Sequence, residues 1–154
     1  MVSNTRNEVR EPRLTIELVP QSSWYTNVRS NVPKSTWDKL RKSCYAQADH
    51  RCEVCGGVGS RWPVEAHEVW LYENPKQILV RLIALCPSCH EVKHFCLANV
   101  RGGTEIALEH FAKVNGWDMR KDYVFEQFDV WKERSELEWG LHISYLENLG
   151  VRLS

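Results

Sequence analysis

Two Cys-x2-Cys pairs, in "RCEVCGG" and "LCPSCH", set Cys52 and Cys55 ahead of Cys86 and Cys89 with thirty residues intervening between the pairs. Each such pair bends the chain so that both sulfurs face one ion, and two pairs close a tetrahedral thiolate site for Zn2+. Gly56 and Gly57 allow the tight turn behind the first pair. Pro87 suits the first position of a helix, which puts Cys86 at the N-cap, where free N–H groups and the helix dipole favour thiolate. The spacer is longer than in short zinc fingers, so a folded hairpin must lie between the pairs. The competing reading is a set of buried cysteines without metal. Cys44 lies on an apolar helix face and reads as packing; Cys96 has no evident place.

A second cluster overlaps the first. His90 and His94 stand four apart, on one face of the helix that begins at Cys86, and two imidazoles at that spacing can share a cation. His90 directly follows a zinc cysteine, so the structural metal fixes its position. A third ligand from the segment bearing His67 would complete a three-histidine site with open positions for water and substrate, the pattern of a catalytic centre.

These residues need a hairpin and a helix to bring them together. "WPVEAHEVW" and "QILVRLIAL" are predicted strands, and "YENPK" between them carries turn residues. Upstream, "STWDKLRKSCYAQA" (35–48) has helical spacing at Trp37, Leu40, Cys44, Tyr45 and Ala48, with Ser35 and Asp38 as a capping start. "RLTIELV" (13–19) alternates Leu14, Ile16 and Leu18, the period of a half-buried strand, and the polar stretch after it reads as loop. Residues 1–12 are polar and expected to be loose. Downstream, "TEIALEHFAKVNG" (104–116) reads as a helix capped by Thr104 and closed at Asn115-Gly116. A helix over 120–135 follows from Val124, Phe128 and Trp131. "LEWGLHISY" then alternates strictly and predicts a final strand, paired with the N-terminal one.

At "CEVC", "AHEV", "LIALCPSCH" and "KH" the chain resembles the HNH endonucleases, in the branch with a zinc-stapled ββα-metal (His-Me finger) fold and an "HEVW" variant motif. The resemblance covers residues 45–95, a third of the chain. It implies a hairpin and helix gripping one divalent ion beside the DNA backbone, with the ion held against the scissile phosphate. His67 falls at a metal-ligand position, His90 at the last motif histidine, a ligand, and His94 at an additional helix ligand. Glu68 stands where the family has its general-base histidine, and Arg81 where it has a mainly structural asparagine. Two assignments of the base stay open. A carboxylate beside a divalent cation stays ionised and can accept a proton from water, which suits Glu68. Alternatively His67 is the base while His90 and His94 hold the ion. Strand alternation points only one of the two neighbours at the site unless the strand bends there.

The expected fold is therefore α+β: a zinc-stapled ββα-metal core over 35–96, a strand and loop extension over 1–34, and a helical region with a final strand over 97–154. All three belong to one domain, which a chain of 154 residues fits. The expected cofactors are structural Zn2+ and a second divalent cation, Mg2+, Mn2+, Ni2+ or Zn2+. The partner is DNA, with RNA as the other phosphodiester to consider. The alternative is a zinc-stabilised nucleic-acid-binding module that has lost cleavage because Glu68 and Arg81 replace motif residues.

Net charge is zero, but residues 1–61 carry ten Lys/Arg against six Asp/Glu and residues 62–154 carry ten against fourteen. A mildly basic first part can face phosphate. Arg29, Lys42, Arg51 and Arg61 are the candidate backbone contacts around the zinc frame, with Arg81 and Lys93 flanking the site. Trp24, Tyr25 and Trp70 can stack on bases or pack. No run reaches the roughly 18–20 apolar residues of a membrane span, and "MVSNTRNEVREPRLTI" lacks a signal-type apolar stretch. A cytoplasmic protein with reduced thiols is the expectation, which favours metal over disulfides for its six cysteines.

Overall fold

A computed structural model describes residues 12–23, 27–116 and 121–153; Trp24, Tyr25 and the first eleven residues fall outside them. The order is a short α1 (Val28–Asn31), α2 (Lys34–Gln47), β1 (Glu65–Glu73), β2 (Lys76–Leu85), α3 (Pro87–Lys93), α4 (Phe95–Val100), α5 (Thr104–Asn115), α6 (Lys121–Ser135) and β3 (Gly140–His142). The fold is mixed α+β, with one three-stranded sheet in the order β1-β2-β3. Strands β1 and β2 form the expected antiparallel hairpin. Its register pairs Glu65 with Leu85 and His67 with Ile83, and shifts between Val69 and Trp70.

The segment from residue 13 to 19 is not a strand. Its alternation is real, since Leu14, Ile16 and Leu18 are buried, but among the described residues no strand pairs with it. Side chains take the ladder's place. Asn115 accepts from the Leu14 amide and donates to the Leu14 carbonyl, both at 3.0 Å, and the Trp131 indole donates to the Val19 carbonyl. Side chains thus satisfy backbone groups at both ends of this extended segment without a sheet.

The final strand is also shorter than expected and differently paired. β3 has three residues and runs parallel to Lys76–Ile78 of β2, and residues 144–149 form a 3-10 turn that buries Leu146. Trp139 is drawn away from a strand face, donating its indole N–H to Arg134 at the end of α6. Two expected caps move as well. Pro33, not Ser35, precedes α2, and Asp38 pairs with Arg41 at 2.9 Å instead of capping. Gly103 precedes α5, whose Thr104 hydroxyl bonds Asn99. Gly116 closes α5 at φ 66°, a left-handed conformation that glycine adopts without strain.

One core joins all three stretches of chain. Leu14 and Ile16, Leu82 and Leu85, Val92, Phe111 and Leu146 belong to a single buried cluster. Among the described residues no helix is long and apolar enough to cross a membrane. Because Asn115 alone satisfies both backbone groups of Leu14, Asn115→Ala is expected to lower unfolding free energy by about 1–3 kcal/mol, read from urea denaturation, whereas Asn31→Ala on exposed α1 should change it little.

Candidate metal centre

The first cysteine pair sits in a tight turn. The Cys52 amide donates to the Gly57 carbonyl and the Gly56 amide to the Cys52 carbonyl, each at 2.9 Å. Gly56 has φ +74°, which explains a glycine there. The second pair starts α3 as expected, with Cys86 at the N-cap and Pro87 first in the helix. The four sulfurs lie within 4.8 Å of one another and can hold a metal ion such as zinc. Cys55 and Cys86 sulfurs are 3.7 Å apart, close to the edge of a tetrahedron with Zn–S bonds of about 2.3 Å. All six cysteines are free thiols. The sulfurs are too crowded to ionise together: a hydrogen bond from Cys89 pulls Cys52 down to about 4, while burial pushes Cys86 up to about 11. Cys89 is pushed up further, by its bond to Cys52 and by burial. A cation is what would let the remaining thiols lose their protons.

Two contacts buttress this cluster. Glu53 accepts from Arg81 Nη2 at 2.5 Å and from the Ala84 amide at 2.6 Å, tying the cysteine turn to β2. On the other side, His110 Nε2 of α5 lies 3.1 Å from the Cys89 sulfur. Cys44 is buried on α2, and burial raises its thiol to about 11.

The histidines meet beside the sulfurs. His67 from β1 is 3% exposed, and its ring lies 5.2 Å from that of His90 and 5.1 Å from that of His94, centroid to centroid. Each of the three offers a nitrogen within 4.8 Å of the others, a grouping that can hold a metal ion. α3 ends at Lys93, so His94 is the joint between α3 and α4. Its amide still bonds the His90 carbonyl, which keeps the one-turn spacing, and the two Nε2 atoms are 3.0 Å apart. Burial lowers both imidazoles. His90 falls despite its bond to Glu65, and His94, with His90 and His67 beside it, falls to about 3. Neutral rings keep lone pairs for a cation.

Carboxylates hold two of the rings from behind. His90 Nδ1 donates to Glu65, which also accepts from the Trp62 indole at 2.6 Å. His67 Nε2 bonds Glu17 Oε2 at 3.0 Å. Burial raises the Glu17 carboxyl, but its bond to His67 and the charge of Lys93 outweigh this and bring it to about 2. Sequence reasoning missed both carboxylates. Glu65 stands two residues before His67 and so shares its strand face, a signal that could have found it. Glu17 carried no such signal.

Glu68 and His67 are neighbours on β1, yet both line one cavity of about 350 Å³ with His94, Trp70 and Cys96. Glu68 Oε1 accepts from the Val28 amide at 3.3 Å. Of the basic residues expected at phosphate, Arg29, Lys42, Arg51 and Arg61 are exposed. Arg81 is exposed but paired with Glu53. Lys93 does not flank the site from solvent: it is buried, donating to Thr15 at 2.5 Å and Glu17 at 2.9 Å.

The cysteine geometry predicts that the purified protein carries one equivalent of zinc by elemental analysis. Cys86→Ser should lose that zinc and lower the melting temperature. Removing zinc with a chelator should do the same to the wild type, because metal binding free energy is folding free energy in such clusters. No family model, no curated protein and no solved structure matches this chain.

Proposed function

We propose that the protein is a metal-dependent endonuclease of HNH type, hydrolysing phosphodiester bonds in DNA. The observation that carries this reading is the convergence of His67 from β1 with His90 and His94 at the end of α3, beside four cysteines that include the first residues of that helix. A hairpin followed directly by a helix supports it too, being the arrangement implied by the motif resemblance.

A divalent cation at the histidines, Mg2+, Mn2+, Ni2+ or Zn2+, would polarise a phosphate oxygen and offset charge as the bond breaks. His90 and His94 would hold it through ring nitrogens that lie 3.0 Å apart and whose proton affinity burial lowers. His67 is a ligand rather than the base, because its ring is buried and one nitrogen is already bonded to Glu17. Glu68 is the base. It lines the cavity next to His67 and His94, and the Val28 amide orients one of its oxygens. A carboxylate is a weaker base than imidazole at neutral pH, so a slow nuclease is expected. Arg29, Lys42, Arg51 and Arg61 remain free to position the DNA backbone without reading sequence.

One observation favours a second reading, a zinc-stabilised nucleic-acid-binding module without cleavage. Both replaced motif residues have bonding partners in the frame, Glu68 with the Val28 amide and Arg81 with Glu53. Plasmid nicking with each of the four cations separates the two. Cleavage by the wild type is expected, abolished in His90→Ala with the cysteine zinc retained, and lowered about 10²–10⁴-fold in Glu68→Ala. No nicking with any cation, alongside salt-sensitive DNA binding, would establish the non-cleaving module instead.

A further inference from the structure

The extended segment that precedes α1 reaches the histidine cluster through one residue. Leu14, Ile16 and Leu18 turn into the core, and the alternate residues Thr15 and Glu17 meet Lys93. Glu17 divides its two oxygens. Oε1 takes the buried Lys93 ammonium at 2.9 Å, and Oε2 takes His67 Nε2 at 3.0 Å. A carboxylate is acceptor-only, so the Nε2 atom must carry the ring proton. The other ring nitrogen, Nδ1, is buried with no hydrogen-bond partner. An unsatisfied buried nitrogen with a lone pair is costly unless something takes that pair. Glu17 itself is not in the group of ligand atoms that converges on His67, His90 and His94, so it stands behind the ring.

We propose that Glu17, anchored by Lys93, is a positioning residue that fixes His67 as the Nε2–H tautomer and presents its Nδ1 to a divalent ion, making the N-terminal segment a working part of the metal centre. This rests on the reading that the three histidines hold such an ion. Carboxylate partners of this kind set the tautomer and the ring orientation and raise ligand basicity, and their loss typically costs about 10–100-fold in metal affinity. Glu65 does for His90 from within the hairpin what Glu17 does for His67 from outside it. The Lys93 charge also explains why a lysine is buried on α3 beside two metal-binding histidines: it neutralises the carboxylate without reaching the ion's ligands.

The test uses full-length protein with its cysteine zinc in place. Calorimetric titration with Mn2+ and Ni2+ should show binding to the wild type that weakens about 10–100-fold in Glu17→Leu. Glu17→Gln, which keeps an acceptor but no charge, should fall between the two. The double variant Glu17→Gln/Lys93→Met removes both charges together and guards against loss of folding from a stranded lysine; it should bind like Glu17→Gln. Zinc content should stay near wild type in all of these variants and thermal melts in the double variant, whereas Glu17→Leu, which leaves the buried Lys93 unpaired, should melt lower. Long-range proton–nitrogen correlation spectra should show the His67 proton on Nε2 before Cd2+ is added, and the shift on adding Cd2+ should fall on Nδ1. A wild type that binds no cation beyond the cysteine zinc would overturn the histidine-site reading itself. A wild type that binds, with equal affinity in Glu17→Leu or with the His67 proton on Nδ1, would overturn the role of Glu17 alone.

Discussion

The four cysteine sulfurs lie within 4.8 Å of one another, too close to carry four charges without a cation among them, and two of them, Cys86 and Cys89, stand at the start of α3. A helix of seven residues is far too short to persist by its own backbone bonds. Its position is set from outside: Cys86 at the N-cap, Cys89 one turn in, Pro87 fixing the entry. His90 follows Cys89, and Lys93 and His94 come one turn later. Each helical residue turns the side-chain direction by about 100°, so a start displaced by one residue would swing His90 away from His67. The chemistry proposed for the histidines therefore depends on sulfur geometry one residue away.

Around both clusters runs an outer set of contacts that holds the ligands in place. Arg81 and Glu53 tie the cysteine turn to β2, and His110 approaches Cys89 from α5. Glu65 and Glu17 grip two imidazoles from behind. Arg81 is instructive, because its long side chain reaches from β2 across to Glu53 in the cysteine turn. Glu68 is the counterpart at the histidines, its carboxylate on the wall of the cavity that His67 and His94 line.

What could be read from sequence was what is local. Cys-x2-Cys pairs, a helix start at Pro87 and histidines four apart each declare themselves within a few residues. The hairpin was legible for the same reason, with two apolar runs joined by a turn. The rest was hidden by distance. Alternation at Leu14, Ile16 and Leu18 describes burial equally well in a strand or in an extended chain held by side chains, and the Asn115 that decides between them lies 101 residues away. Glu17 and His67 are 50 residues apart, so nothing in either neighbourhood announces the pair. A lone lysine on a helix is ordinarily solvated, and only Thr15 and Glu17, both distant in sequence, explain the burial of Lys93. Trp139 and Tyr145 fit an alternating pattern longer than strand β3, because the backbone leaves the sheet after His142.

The grip of Asn115 on Leu14 also orders events in time. The cysteine turn, the hairpin and α3 close over short loops, whereas the segment carrying Glu17 is pinned by a residue that leaves the ribosome about a hundred residues later. Closing so long a loop costs more entropy than closing the hairpin, and in a growing chain it has to wait for α5 to emerge. Glu17 is synthesised well before Asn115 and is seated only after it. The cysteine turn and the hairpin can thus form on the nascent chain while the contacts around His67 stay unfinished, and the bond from Glu17 to His67 is completed only once α5 has emerged.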